Sequence, residues 1–185
     1  MQRRQMCLCF AVVFCGAVTW AGPDEPFQID LSGQLSVHVE KLEALMRITE
    51  TPHRMADSTA ALCKVVTPQY SNNNIHEGNL DPAWCHVYVT KNAKETIVSG
   101  QGTYPEGAVI VKSKLESKES PKAILYTVMR KREAGYDSEN GDWEYAVLEG
   151  RFNRVLSRGR IDSCIDCHQN YKETDHVTRA YLKKK

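Results

Sequence analysis

The feature that most constrains this chain is a close pair of cysteines followed at once by a histidine, near the C-terminus. The segment reads Cys164-Ile165-Asp166-Cys167-His168. With two residues between them, both thiols can bond to the vinyl groups on one edge of a porphyrin, and the adjacent imidazole can reach the iron. The sequence therefore predicts one covalently bound haem c, with Cys164 and Cys167 as its attachment sites and His168 as the proximal iron ligand.

Three other interpretations of this cysteine pair remain open from the residues alone. A redox-active disulfide needs no adjacent histidine and usually sits beside a βαβ pattern, which the sequence lacks. A zinc site could be completed by Cys63 and Cys85, although structural zinc usually takes a second close-spaced pair. The third interpretation is a chance spacing.

The first 21 residues have the form of a cleaved secretory signal peptide. Arg3 and Arg4 precede the apolar stretch 6–18, and small residues occupy the positions that a signal peptidase inspects in Thr19-Trp20-Ala21. The apolar stretch is shorter than the about 20 residues that span a bilayer, so an uncleaved anchor is the less favoured alternative. We expect a periplasmic or otherwise exported protein.

Export changes how the remaining cysteines are interpreted. Oxidising compartments favour pairing, so the sequence predicts a disulfide between Cys63 and Cys85. The alternative is two separately buried thiols.

Length and charge limit the class of protein. A chain of 185 residues is large enough for one domain with a real core. It carries 24 Lys and Arg against 23 Asp and Glu, with no basic stripe, so we expect no nucleic-acid partner. Within this single domain, residues 22–82 form an extended and helical N-terminal region, and residues 83–185 form a β-rich haem region.

Hydrophobic periodicity predicts a few short helices and a larger set of strands. The helices cover 39–49, 56–63 and 91–99. The strands cover 84–89, 107–112, 123–132, 143–149 and 151–160, with a turn at Asp137–Asp142. Successive strands joined by short connections favour an antiparallel sheet. The predicted fold class is therefore α+β, predominantly antiparallel β-sheet with a few short helices and a C-terminal haem-attachment segment.

Several blocks of the sequence resemble the cytochrome P-460 family. They occur in the family's order between His86 and Arg179: His86–Val89, Tyr104–Lys112, Lys131–Glu133, Gly135–Asp137, Trp143–Glu144, Gly159–Tyr171 and Val177–Arg179. The resemblance implies a predominantly antiparallel fold, a homodimer, and a five-coordinate haem with an open distal site. It also implies a small nitrogen-containing ligand or substrate, and we expect a soluble redox partner.

The family has two branches that differ in chemistry. One oxidises hydroxylamine and carries a lysine-to-porphyrin crosslink, and the resemblance places that lysine at Lys112. The other binds diatomic gases, notably nitric oxide, without established turnover. From the residues alone, Lys112 can point inward with Ile110 or be a solvated lysine at the strand end.

One departure from the hydroxylamine-oxidising branch concerns the distal pocket. Cys85 stands where that branch carries an arginine, and a thiol cannot replace a guanidinium. His86 shares a strand face with Tyr88 and is a candidate pocket residue. Glu106 is a candidate proton acceptor, together with Glu133, Glu144 and Glu149, because hydroxylamine oxidation needs one.

The sixth ligand of the iron decides between electron transfer and ligand binding. The sequence offers these candidates: Met46, Met55, Met129, His38, His53, His76, His86 and His176. Two further functions stay open. One is a six-coordinate electron-transfer cytochrome, and the other is a binding domain held by disulfides without haem.

Overall fold

A computed structural model describes residues 27–29, 35–37, 42, 44–55, 84–150 and 155–182. Several sequence predictions lie outside these residues: the signal peptide, the helix at 56–63, and Cys63 with its disulfide to Cys85. The helices in the described part are all too short to qualify as an apolar membrane-crossing span.

The described chain is built mainly from antiparallel β-structure. Two short strands pair with each other, β1 (Phe27–Ile29) and β2 (Leu35–Val37). The other seven strands form one sheet: β3 (Met46–Arg47), β4 (His53–Arg54), β5 (Trp84–Val89), β6 (Val109–Leu115), β7 (Ala123–Lys131), β8 (Trp143–Glu149) and β9 (Val155–Gly159). Their order in the sheet is β3-β5-β6-β7-β8-β9, and β4 also pairs with β5.

Two short helices accompany the sheet. Helix α1 (Lys94–Ser99) follows a 3-10 turn at Lys91–Ala93. Helix α2 (Asp162–His168) runs directly into a 3-10 segment at Gln169–Thr174. The predicted α+β class, dominated by an antiparallel sheet, is confirmed.

The two faces of the sheet support separate hydrophobic clusters. Side chains alternate along each strand, so neighbours in sequence point to opposite faces. One cluster includes Cys85, Val87, Val89, Ile110, Met129 and Tyr145, and it packs against Met55 and Val177. The other includes Leu45, Val109, Val111, Tyr126, Val128, Ala146 and Leu148. The C-terminal segment that contains the cysteine pair packs on the first face, through Ile161, Cys164 and Ile165.

The helix predicted to run from 39 to 49 is wrong over its second half. Met46 and Arg47 form strand β3 and pair with Val89 and Tyr88. The Ile48 amide continues the pairing by donating to the Val87 carbonyl at 2.9 Å. The edge of β5 offers backbone hydrogen bonds that outweigh a weak local helix pattern, because strand preference depends strongly on tertiary context.

Candidate functional site: a cavity between the sheet and helix α2

A cavity of about 580 Å³ lies between one face of the sheet and the C-terminal segment. This volume is typical of small-molecule and cofactor sites, which measure about 300–1,000 Å³. Its walls include sheet residues Cys85, Val87, Ile110, Lys112, Met129 and Tyr145, edge residues His53, Arg54 and Met55, and C-terminal residues Cys164, Cys167, His168, Tyr171 and Tyr181. The structure therefore brings the cysteine pair and its histidine together around one cavity.

Helix α2 presents both thiols and the imidazole to this cavity. Cys167 and His168 follow Cys164 by three and four positions, and residues at those spacings share one face of a helix. Gly159, with φ of 107°, ends β9 in a conformation that residues with side chains rarely adopt. That turn redirects the chain into α2, while Ile161 and Ile165 anchor the helix against the core.

The His168 ring is held by one short hydrogen bond. Its Nδ1 lies 2.6 Å from the backbone carbonyl oxygen of His176. A carbonyl oxygen can only accept, so Nδ1 donates the proton and the lone pair is on Nε2. Histidines that bind metals characteristically fix their second nitrogen in this way.

Burial also keeps this imidazole neutral. It lowers the pKa of His168 to about 4, more than offsetting the opposite effect of the hydrogen bond to the His176 carbonyl. A metal-binding imidazole must be deprotonated on its coordinating nitrogen. His168 therefore meets that requirement at neutral pH without giving up a proton.

Lys112 lies in the cavity wall opposite the helix. It is half-buried on β6, and its register partners are Val87 on β5 and Thr127 on β7. Ile110, two residues earlier, lines the same cavity. The charge of Lys112 contributes to the lowered pKa of His168, and both residues line the same cavity.

Comparison with known proteins assigns the chain to a family. The family model described as Cytochrome P460 matches residues 63–179, which is more than half of the chain. The chain belongs to the cytochrome P460 family. No curated protein matches it. Membership makes the protein a haem-binding cytochrome, and the matched region includes strands β5 to β9, helix α2 and the loop that holds His168.

The cavity of this P460 protein fits a haem in both volume and chemistry. Its described walls are largely apolar, as a porphyrin requires, and two thiols and a neutral imidazole occupy one side. The hydroxyl of Tyr145 is buried in the cavity wall without a hydrogen-bond partner among the described residues. Those residues contain no cluster of three or more His, Cys, Asp or Glu side chains that could hold a bare metal ion.

The predicted pocket residues fall on both sides of the sheet. Cys85 is buried and lines the cavity. His86, the next residue on β5, projects from the opposite face, where its Nδ1 lies 3.0 Å from the Thr49 hydroxyl. The proposal that His86 is a pocket residue is therefore corrected, because alternation along the strand sends it away from the cavity.

None of the four predicted glutamates lines the cavity. Glu106 and Glu133 are exposed in connections outside the sheet. Glu144 projects from the opposite face of β8, where its carboxylate accepts from Arg132 at 3.1 Å and from Arg158 at 2.6 Å. The last, Glu149, is half-buried at the end of the same strand.

Some of the residues predicted as possible sixth ligands of the iron line the cavity, and others lie outside it. Met55, Met129 and His53 line the cavity. Met46 packs against the core outside it, and His176 contributes its backbone carbonyl to His168. His38 and His76 lie outside the described residues.

Several wall residues were not selected by motif or periodicity, among them Arg54, Tyr145 and Tyr181. Arg54 reaches the cavity because β4 pairs with β5, a contact between segments far apart in sequence. Tyr145 lies in a strand whose first six residues are all buried, so period-two alternation gave no sign of its direction. Tyr181 follows the haem motif without a pattern of its own, and its ring lies 6.5 Å from that of His53.

Proposed function

We propose that this protein is an exported cytochrome that carries one haem c and binds or oxidises small nitrogen species, such as nitric oxide and hydroxylamine. Cys164 and Cys167 would form the thioether attachments, and His168 would be the proximal ligand. The observation that carries the proposal is the hydrogen bond from His168 Nδ1 to the His176 carbonyl, beside two thiols in the same cavity wall. A purely structural histidine would not need this combination.

When bound, the haem would supply an iron centre that takes a small nitrogen ligand and exchanges electrons with it. The chain's own residues hold and shield that centre. The two cysteines would attach the group to α2, and His168 would offer it a neutral Nε2. The apolar walls formed by Val87, Ile110 and Met129 exclude water from the space that remains.

We also propose Lys112 as the residue that forms the additional crosslink characteristic of the hydroxylamine-oxidising branch. Its position in the cavity wall opposite α2 supports this assignment. Hydroxylamine oxidation further needs a proton acceptor near the ligand, and His53 is the described wall residue best suited to that role. Imidazole is the side chain most often used for proton transfer.

A six-coordinate electron-transfer cytochrome is the second candidate function. Met55, Met129 and His53 all line the cavity, and a thioether or an imidazole can serve as the sixth ligand of a haem iron. This function would need a soluble redox partner and would leave no position for nitric oxide. In either case we propose export through residues 1–21 and a dimeric assembly.

The test of attachment is a combination of absorption spectra and the mass of the denatured protein, made with haem-maturation machinery. We expect a Soret band and a mass increased by one haem. Replacing Cys164 and Cys167 together by Ser should remove the covalent haem. An absent Soret band in the unaltered protein would refute the proposal and favour a domain without haem.

The test of the crosslink is a proteolytic peptide map of the same protein. We expect the haem to be recovered on a peptide containing Lys112 as well as on the peptide containing the two cysteines. Lys112→Met should remove only the haem link to the peptide around position 112 and leave the link through the two cysteines. Lys122→Met, at an exposed lysine, is the matched control and should leave both.

Ligand addition separates the two functions. A high-spin ferrous spectrum that changes on addition of nitric oxide supports the open site. Turnover of hydroxylamine with an artificial electron acceptor, lost in His53→Gln, supports the oxidase role of that site. A low-spin spectrum that does not respond to either compound would establish the electron-transfer alternative instead.

A further inference from the structure

The carbonyl that holds His168 belongs to a loop with an unusual backbone. Asp175 and His176 both have left-handed conformations, with φ of 51° and 64°. Such conformations carry strain for residues with a side chain and persist only where the surroundings enforce them. The His176 amide donates to the Tyr171 carbonyl at 2.8 Å, which fixes one end of the loop.

A buried ion pair fixes the Asp175 side chain. The Lys131 ammonium donates to both carboxylate oxygens of Asp175, at 2.7 and 2.9 Å. The two side chains are only 8% and 11% exposed. Lys131 also donates to the Gly141 carbonyl at 2.8 Å, and Asp175 accepts the Tyr104 amide at 2.8 Å.

Trp143 fixes the backbone of the same residue. Its indole Nε1 donates to the Asp175 carbonyl at 2.8 Å, and the ring is fully buried. The Lys131 ammonium lies 5.1 Å from the centre of this ring, within the range of a cation–π interaction. Both Lys131 and Trp143 belong to the sheet, so the loop is tied to the most rigid part of the molecule.

We propose that Lys131, Asp175 and Trp143 are positioning residues for the proximal histidine. They hold the left-handed loop so that the His176 carbonyl accepts the Nδ1 proton of His168. A buried ion pair contributes little net stability compared with apolar residues of the same size. Its value here is the fixed direction of one carbonyl group. The inference rests on the proposed function, in which His168 binds the haem iron.

The expected effect on the iron follows from the basicity of the imidazole. A hydrogen bond from Nδ1 to a carbonyl raises the electron density on the ligating nitrogen, and outer hydrogen bonds of this kind tune the reduction potential. Loosening the loop should weaken that hydrogen bond. The iron–histidine bond then becomes weaker, and the ferrous state becomes easier to reach.

Two substitutions in the haem-containing protein test the proposal. Trp143→Phe removes the indole donor but keeps an aromatic ring, and Asp175→Asn removes the charge but keeps a residue that tolerates the left-handed region. In each variant we expect a lower iron–histidine stretching frequency in the resonance Raman spectrum of the ferrous protein. We also expect the reduction potential to move in the positive direction.

The matched control is Glu144→Gln, which removes another buried carboxylate paired with two arginines, on the opposite face of the sheet. It should lower the midpoint of thermal unfolding without changing the iron–histidine stretching frequency or the reduction potential. If Trp143→Phe and Asp175→Asn behave like this control, the three residues are merely structural and the proposal is overturned.

A second measurement does not depend on haem. In the full chain produced without haem and labelled with ¹⁵N-histidine, the NMR shifts of His168 should show the proton on Nδ1. Trp143→Phe and Asp175→Asn should give a mixture of tautomers. A tautomer unchanged by both variants would contradict the positioning role, whereas a failed haem attachment would appear only in the absorption spectrum of the unaltered protein.

Discussion

His168 and His86 are two histidines whose pKa is lowered mainly by burial, yet they lie on opposite sides of the sheet. His168 donates a hydrogen bond to the His176 carbonyl and lines the cavity. His86 lies beside the Thr49 hydroxyl, which also accepts the Val87 amide at 3.1 Å. The same chemical group is therefore a ligand candidate in one setting and a satisfied polar side chain in the other.

The setting of His86 predicts a dependence of stability on pH. Burial and the charge of Arg47 lower its pKa in the folded protein, so the unfolded chain binds the proton more readily. Stability from this group is complete above the unfolded pKa of about 6.5 and is lost as the pH falls below it. The free energy of unfolding between pH 7 and 5 should therefore decrease less in His86→Gln than in the unaltered protein. Equal decreases in urea titrations would contradict this.

Tyr145 makes a second prediction at the residue scale. Its hydroxyl is buried without a hydrogen-bond partner among the described residues, and burial raises its pKa above the usual range. An unsatisfied buried hydroxyl costs about 1–3 kcal/mol. Tyr145→Phe should therefore leave the haem-free chain as stable as before, or more stable by about 1 kcal/mol. Urea unfolding of the two chains measures this, and a loss of stability would reveal a partner for the hydroxyl.

At the scale of elements, the C-terminal segment is fastened to helix α1 as well as to the sheet. Gly100 ends α1 with φ of 71°, and its amide donates to the Thr96 carbonyl at 2.8 Å. Arg179 then donates to the Ile97 carbonyl at 2.9 Å and also to that of Val98. A helix that leaves its last carbonyls unpaired needs such partners. The C-terminal segment thus supplies hydrogen-bond donors to the last carbonyls of helix α1, which lies much earlier in the chain.

Substituting the helix-ending glycine tests this arrangement. In Gly100→Ala the new methyl group meets the Arg179 guanidinium, and a left-handed residue with a side chain costs about 1–2 kcal/mol. We expect a loss of about 2 kcal/mol in the free energy of unfolding. Gly102→Ala is the matched control, because its φ is 81° and no described residue other than its chain neighbours has an atom within 4 Å of the added carbon. An equal loss of unfolding free energy in both variants would show that the contact with Arg179 does not contribute to the effect.

At the scale of the whole molecule, the sheet separates a face that stabilises the fold from a face that forms the site. Val111 is fully buried in the cluster away from the cavity, whereas Val87 is buried on the cavity side. The two side chains are chemically identical and lie on adjacent strands. They allow the two faces to be tested with the same substitution.

We expect Val111→Ala to lower the free energy of unfolding by about 2 kcal/mol, because two buried methyl groups are lost and a small void remains. Its haem spectrum should stay unchanged. Val87→Ala should alter the absorption spectrum of the bound haem, since it enlarges the cavity itself. Spectra and urea unfolding of both variants check this, and a spectral change confined to Val111→Ala would contradict the assignment of the faces.

The amino-acid order alone predicts the features that depend on neighbours along the chain. The spacing of Cys164, Cys167 and His168 predicts a haem, and the family membership supports that cofactor. Strands β5 and β8 are confirmed at the predicted residues, because β-branched and aromatic runs bounded by turns specify strands locally.

The set of side chains that share the cavity follows from the packing of the folded chain. Residues 46–47 became a strand because β5 offered an edge for pairing, and His86 turned away because the register of β5 sends Cys85 and Val87 inward. The loop that holds His168 depends on Lys131 and Asp175, which are 44 positions apart. Contacts of this kind arise from packing between distant segments, and no local pattern in the chain specifies them.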